Sequence, residues 1–306
     1  MRGIKNTGIL LFAMLVLLTG TKTYAQQDPM YTQFIDNLLV VNPGYAGARD
    51  TGNFLLVSRN QWVSVADAPV TNSFSYNTRF KEQNFGLGFS VMHDKIGPQK
   101  QTGVYFDYSY FLMVSDKFKL GMGLKGGVSF YRAALTELIT IDPDPIYTQD
   151  IYKNFLPNIG VGGYLYSDKT YFGLSVPKLI ENTITRDDYE TDYVNKEEIH
   201  VYLVGGHNFN LSSDFQLKTN AMLRYVKNAP ISVQATALAG FREKFWLGGM
   251  VRFGDAFGIV AQFQATQRML IGYSYDITTS ELNVFSNGTH EIMFSYDLNI
   301  FQTSGK

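Results

Sequence analysis

Apolar and polar side chains trade places at every second position through most of this chain, in one strand-length stretch after another. From Phe118 to Tyr131, the residues Phe118, Leu120, Met122, Leu124, Val128 and Phe130 share one face. Lys119, Gly121, Gly123, Lys125, Gly127, Ser129 and Tyr131 share the other. A period of two belongs to a β-strand, whose successive side chains point to opposite sides of a sheet. Two lysines on the second face demand water, so that side is expected to line a lumen or a solvated surface.

The pattern recurs in about fourteen segments, an even number that suits a single-chain bacterial barrel. They begin near Phe54, Thr71, Phe85, Gly103, Phe118, Leu156 and Thr170, then His200, Phe215, Ile231, Phe245, Phe257, Met269 and Glu291. Many exceed the five or six residues usual in a soluble β-sandwich, and only 17% of the residues are charged. The expectation is an all-β fold: a transmembrane antiparallel β-barrel of about 14 strands, closed so that lipid meets no open sheet edge. A mean hydropathy of −0.09 does not conflict with this, because lipid-facing and lumen-facing residues average out. Aromatic residues make up 15% of the chain, as suits the headgroup level of a bilayer.

The amino end reads as an export signal. Arg2 and Lys5 precede a short apolar run, Ile9 to Leu18, and Thr23-Tyr24-Ala25 supplies a small-residue cleavage site. The run is too short for a membrane anchor, which needs about 18 or more apolar residues. Three parts follow: a cleaved signal peptide at 1–25, an N-terminal segment at 26–52 and a barrel domain at 53–306. The middle part contains Pro43 and Gly44, which break regular structure, beside Phe34, Leu38, Leu39 and Tyr45, which need burial. It is expected to pack inside the barrel or against its periplasmic end.

Turns are read at Ser167–Lys169, Ser212–Asp214, Lys227–Pro230 and Gly254–Asp255, all short enough to be periplasmic. Longer polar stretches, Ala133–Asn154, Lys178–Glu198 and Thr278–Thr289, are expected as extracellular loops.

Candidate chemistry is sparse. No cysteine is present, which excludes disulfides and thiolate chemistry. A net charge of −1 gives no basic excess for nucleic acid. His93-Asp94-Lys95 sits where a strand gives way to a turn and reads as a hairpin-end polar cluster. His200 and His207 are seven apart, hence on opposite faces of a strand and unable to form a local metal pair. No serine stands in a hydrolase motif, so neither an enzyme nor a cofactor or metal site is expected. Acidic residues crowd one loop, and Asp187, Asp188, Glu190 and Asp192 are candidates for docking a basic partner. Trp62 is expected at the membrane interface, close to Arg59 and Gln61.

An ordered set of motifs, from Asp28-Pro29 and Tyr31 with Gln33-Phe34, through Asn42-Pro43 and Tyr45-Ala46-Gly47, to Gly288-Thr289-His290-Glu291-Ile292, resembles the PorP/SprF family of outer-membrane proteins. Asp28, Pro29, Tyr31, Gln33 and Phe34 match its opening, and Asn42, Pro43, Tyr45, Ala46 and Gly47 the block that follows. Arg59-Asn60-Gln61-Trp62, Asp94-Lys95-Ile96-Gly97-Pro98 and Gly288-Thr289-His290-Glu291-Ile292 continue it in order. Gly44 departs from the alanine more usual there. The resemblance implies an outer-membrane location and a role in type IX secretion and gliding-type machinery. It also implies, as partners, secreted cargo such as adhesins with a C-terminal sorting domain, and periplasmic machinery. The alternative is an outer-membrane channel for passive diffusion or uptake of small solutes.

Overall fold

The computed structural model describes residues 28–49, 51–138, 149–184 and 196–298. Among them fourteen antiparallel strands form one closed barrel. The first seven are β1 (Gly52–Asn60), β2 (Val70–Phe80), β3 (Phe85–Ile96), β4 (Gln99–Met113), β5 (Lys119–Ala133), β6 (Ile151–Tyr166) and β7 (Thr170–Val176). The others are β8 (His200–Asn210), β9 (Phe215–Val226), β10 (Ser232–Phe241), β11 (Phe245–Arg252), β12 (Ala256–Gln264), β13 (Met269–Thr278) and β14 (Thr289–Leu298). Each strand pairs with its sequence neighbours, and β1 closes the ring on β14 from Gly52↔Leu298 to Asn60↔His290. The expected strand count and the alternation both hold.

Which residues lie outside follows from the period of two. Leu56, Phe106, Leu124, Ile159, Leu174, Leu203, Leu247 and Ile259 are all exposed on the outer surface. Inward positions bury Asn53, Arg59, Asp107, Lys125, Gln234, Asp276 and Glu291. This is the reverse of a water-soluble sheet, whose buried side would be the apolar one. Among the described residues no helix is long and apolar enough to cross a membrane, so any crossing is made by strands.

Hairpin parity sorts the connections. Those that follow odd-numbered strands share one end of the barrel with each other, and those that follow even-numbered strands share the opposite end with Gly52 and Leu298. The three long expected loops follow β5, β7 and β13 and therefore lie together at the first end, hereafter the loop end. Ser167–Lys169 and Ser212–Asp214 follow β6 and β8 and lie at the terminus end, as expected. Lys227–Pro230 and Gly254–Asp255 follow β9 and β11, so they lie at the loop end and cannot be periplasmic with the other two. Their shortness carries no information on side.

Residues 28–49 occupy the lumen. They include one helical turn at Leu38–Val41 and a 3-10 turn at Pro43–Tyr45. Tyr31, Phe34, Leu38, Leu39 and Tyr45 form the main apolar cluster with inward residues of the wall, among them Leu55, Val57, Val204, Met222 and Met293. The segment crosses from one end to the other. Asp28 meets Lys178 and His200 at the loop end, whereas Gly47 meets Asn77 and Arg49 meets Asp297 at the terminus end. Of the two expected placements, packing inside the barrel is the one observed, and only the second half of the segment reaches the terminus end. The lysine face of β5 lines the lumen as expected, but Lys125 meets no water there: it is buried, 2.8 Å from Asp107, and donates to the Leu39 carbonyl at 3.2 Å.

Close approach of segment to wall explains the inward glycines of β5. A Cβ on Gly123 would run into the Pro43 carbonyl and the Gly44 nitrogen. Gly123→Val is therefore expected to displace the segment while the outer face stays intact. Limited proteolysis of the detergent-solubilised protein checks this, with new cleavage within residues 28–49 as the expected outcome.

Candidate functional site

A lumen filled by irregular chain raises an energetic demand. Residues 28–49 have few sheet or helix partners for their backbone groups, and a buried group left unpaired costs about 1–3 kcal/mol. The inward side chains of the wall meet that demand. Gln234 donates to the carbonyls of Tyr31 and Thr32 at 3.1 and 3.2 Å, and Ser175 to that of Val41 at 2.7 Å. Ser109 donates to the Gly44 carbonyl at 3.1 Å, and Asn77 accepts from the Gly47 N–H at 3.2 Å.

The strongest of these contacts is charged. Both Glu291 carboxylate oxygens accept backbone N–H groups, Oε2 from Thr32 and Oε1 from Gln33, each at 2.8 Å. Arg59 lies beside them with Nη1 3.0 Å from Glu291 Oε2 and Nη2 2.9 Å from Asp276 Oδ2. Thr32 joins the pair, accepting from Arg59 Nη1 at 2.8 Å and donating to Asp276 Oδ2 at 2.6 Å. All four side chains are buried. One arginine between two carboxylates leaves the group one charge negative, and the two N–H groups, directed at Glu291, offset part of that excess.

The family-motif residues divide along the lumen. At the loop end, Asp28 Oδ1 lies 2.8 Å from Lys178 Nζ, and its carbonyl accepts from Arg224 Nη1 at 2.9 Å. His200 Nε2 accepts from the Asp28 N–H at 3.3 Å, and Nδ1 stands 2.9 Å from the Glu198 carbonyl, which assigns a neutral ring protonated at Nδ1. Pro29, Gln61 and Trp62 line a cavity of about 900 Å³ above this latch. Trp62, expected at the lipid interface, follows the end of β1 with a positive φ of 46° and forms part of that cavity wall. In the middle lie Tyr31 and Gln33; Gln33 Oε1 accepts from Gln262 at 3.2 Å. Toward the terminus end, Asn42 donates to the Gly163 carbonyl at 3.0 Å and accepts from the Gly44 N–H at 2.9 Å. Pro43 covers Gly123, Tyr45 meets Tyr164 edge-on at 5.3 Å, and Gly47 has the positive φ of 80° that suits glycine.

Asp187, Asp188, Glu190 and Asp192 lie outside the described residues. Sequence reading missed Asp276, Lys178, Gln234 and Gln262 as partners of the lumen segment. Their one signal is a charged or amide residue at an inward position of a long strand or just beyond its end.

Burial would raise the Asp28 carboxyl, but the surrounding basic side chains, Lys178 foremost with its hydrogen bond, together outweigh burial and hold the group at about 2. A carboxylate depressed from 3.8 to about 2 stabilises the folded state fully above about pH 4, by about 2 kcal/mol, and loses that as pH falls toward 2. The latch is thus expected to hold at neutral pH and to open only in strong acid. Lys178→Met should raise the pH at which the segment becomes protease-sensitive. Arg59→Met leaves Asp276 and Glu291 buried without a cation, at an expected cost of about 3–5 kcal/mol. A lower temperature for loss of the folded band in heat-modifiability gels checks it.

Solved structures similar to this chain include the CymD monoaromatic hydrocarbon channel, with 11% identity, 89% of this chain and 94% of that one covered, and a TM-score of 0.48. A TodX deltaS2S3 mutant monoaromatic hydrocarbon channel gives 9% identity, coverage of 85% and 94%, and a TM-score of 0.47. Omp33, an outer-membrane protein of Acinetobacter baumannii, gives 9%, 81% and 99%, and 0.45. No curated protein matches the sequence. The family model for the type IX secretion system membrane protein PorP/SprF matches residues 23–296. The chain belongs to the PorP/SprF family of type IX secretion system membrane proteins and resides in the outer membrane.

Proposed function

We propose that this barrel serves type IX secretion as a receptor that holds exported cargo, such as adhesins, at the cell surface. The observation that supports this reading best is the filled lumen. Residues 28–49 run from one mouth to the other, and inward side chains from both halves of the barrel bond to them. A wall so committed to its own plug is suited to holding a partner and poorly suited to conducting solutes.

In this reading the protein catalyses no reaction and needs no cofactor. Its partners are a cargo protein with a C-terminal sorting domain and the periplasmic part of the machinery, and the signal peptide at 1–25 is removed on export. The long loops after β5, β7 and β13 share one end, and since the longer loops of a bacterial barrel are the extracellular ones, that end faces outward. Asp187, Asp188, Glu190 and Asp192 add an acidic docking surface there.

Two measurements separate this from the diffusion-channel alternative. Cells lacking the gene are expected to lose cargo from their surface, and the purified protein in planar bilayers is expected to show no large steady conductance. Unchanged surface display together with a persistent open pore would sink the receptor and favour the channel.

A further inference from the structure

One sector of the outer wall departs from the apolar rule. At the loop end Lys95 on β3, Lys100 on β4 and Arg132 on β5 point outward, and all three are exposed. Lys95 stands opposite Lys100 in the ladder and Lys100 opposite Arg132, so three cations share about 10 Å at the usual strand spacing. On β10 to β13 the same end presents Ile231, Phe253, Phe257 and Ile277 outward, all exposed and apolar. Like charges directly opposite one another destabilise a ladder, so the row calls for an anion.

The chain's own acids supply little of it. Asp150 reaches Arg132 at 3.8 Å but also accepts from Thr136 and Tyr152. Asp94, next to Lys95 in sequence, points inward and accepts from Thr71. Asp67 and Glu137 are exposed in the loops after β1 and β5, and among the described residues neither forms an ion pair with Lys95 or Lys100.

One row nearer the middle of the wall, Ser58, Asn72, His93 and Thr102 face outward in register. His93 Nδ1 lies 2.8 Å from Thr102 Oγ1. Hydroxyl and amide groups left without partners in hydrocarbon are costly, so this row belongs at head-group level. Below it Leu56, Phe74, Val91, Ile292 and Phe294 line an apolar groove of about 320 Å³, with Ser58, Asn72 and His93 at its upper margin. Cations, neutral hydrogen-bonding groups and an apolar groove thus follow one another away from the loop end, and they meet on β3.

We infer that this face seats a phosphorylated glycolipid of the outer leaflet. Lys95, Lys100 and Arg132 take its phosphates, Asn72 and His93 meet its sugar, and the groove receives an acyl chain. A glycerophospholipid fits less well, because a single phosphodiester leaves most of the cationic row and the neutral row unused. The inference rests on the outward orientation of the loop end and does not depend on the receptor reading.

Protein extracted from outer membranes in detergent is stripped of bound lipid and titrated with diphosphorylated lipid A, and bound lipid is read by native mass spectrometry. The parent should retain one lipid A under activation that removes phosphatidylglycerol. Lys95→Gln combined with Lys100→Gln should weaken retention about tenfold through the loss of two surface cations. Lys95→Arg combined with Lys100→Arg should preserve it, and Val91→Trp, which fills the groove from outside, should weaken it. Lys227→Gln removes an exposed cation from the same end beyond β9 and should change nothing. A folded band on unheated gels shows that each variant keeps its barrel. Phosphatidylglycerol held as firmly as lipid A would overturn the glycolipid assignment, and equal weakening by Lys227→Gln would overturn the site.

Discussion

The central constraint is the need to satisfy a peptide backbone inside a ring that has no spare backbone to offer. Every strand spends most of its N–H and C=O groups on its two neighbours, so the backbone of the lumen segment is held by side chains, and of the wall backbone the Gly163 carbonyl receives the Asn42 amide. The Arg59–Glu291–Asp276 group is the most concentrated answer, with one carboxylate receiving two consecutive backbone N–H groups. Gln234, Ser175, Ser109 and Asn77 repeat the idea with neutral groups along the length of the lumen. This arrangement accounts for the strongly polar inner face of a barrel whose lumen holds a packed apolar cluster at its centre.

Charge burial within that cluster is balanced locally. Lys125 pairs with Asp107 and also reaches the Leu39 carbonyl, so one ion pair both neutralises itself and holds the segment. Breaking such a pair from one side costs far more than the pair contributes as a whole, because the remaining charge is left dry. The polar contacts thereby fix position, and the apolar contacts of Phe34, Leu38 and Leu39 supply the general drive for burial.

Much of this architecture was legible in the residues. The period of two located all fourteen strands, because lipid outside and polar lumen inside enforce it at each crossing. Burial of the N-terminal segment was legible in Phe34, Leu38, Leu39 and Tyr45, but the wall residues that hold it were not. Lys125 in a strand reads the same whether it faces water or a buried aspartate, so the alternation that reveals the barrel conceals what the barrel contains. Lys227–Pro230 and Gly254–Asp255 were assigned to the wrong end because turn composition does not encode side; only counting strands does. The partners of Arg59 were hidden for another reason: Asp276 and Glu291 lie 217 and 232 positions away, and only closure of the ring brings them near.

That closure has a consequence for biogenesis. Arg59 is on the first strand and Glu291 on the last, so the seam where the ring joins is also where the inner segment is fastened. A nascent chain cannot complete this clasp until its final hairpin arrives, long after residues 28–49 have left the translocon. The same pair of strands therefore closes the ring and clasps the stretch that lies innermost, so the two linkages share one joint.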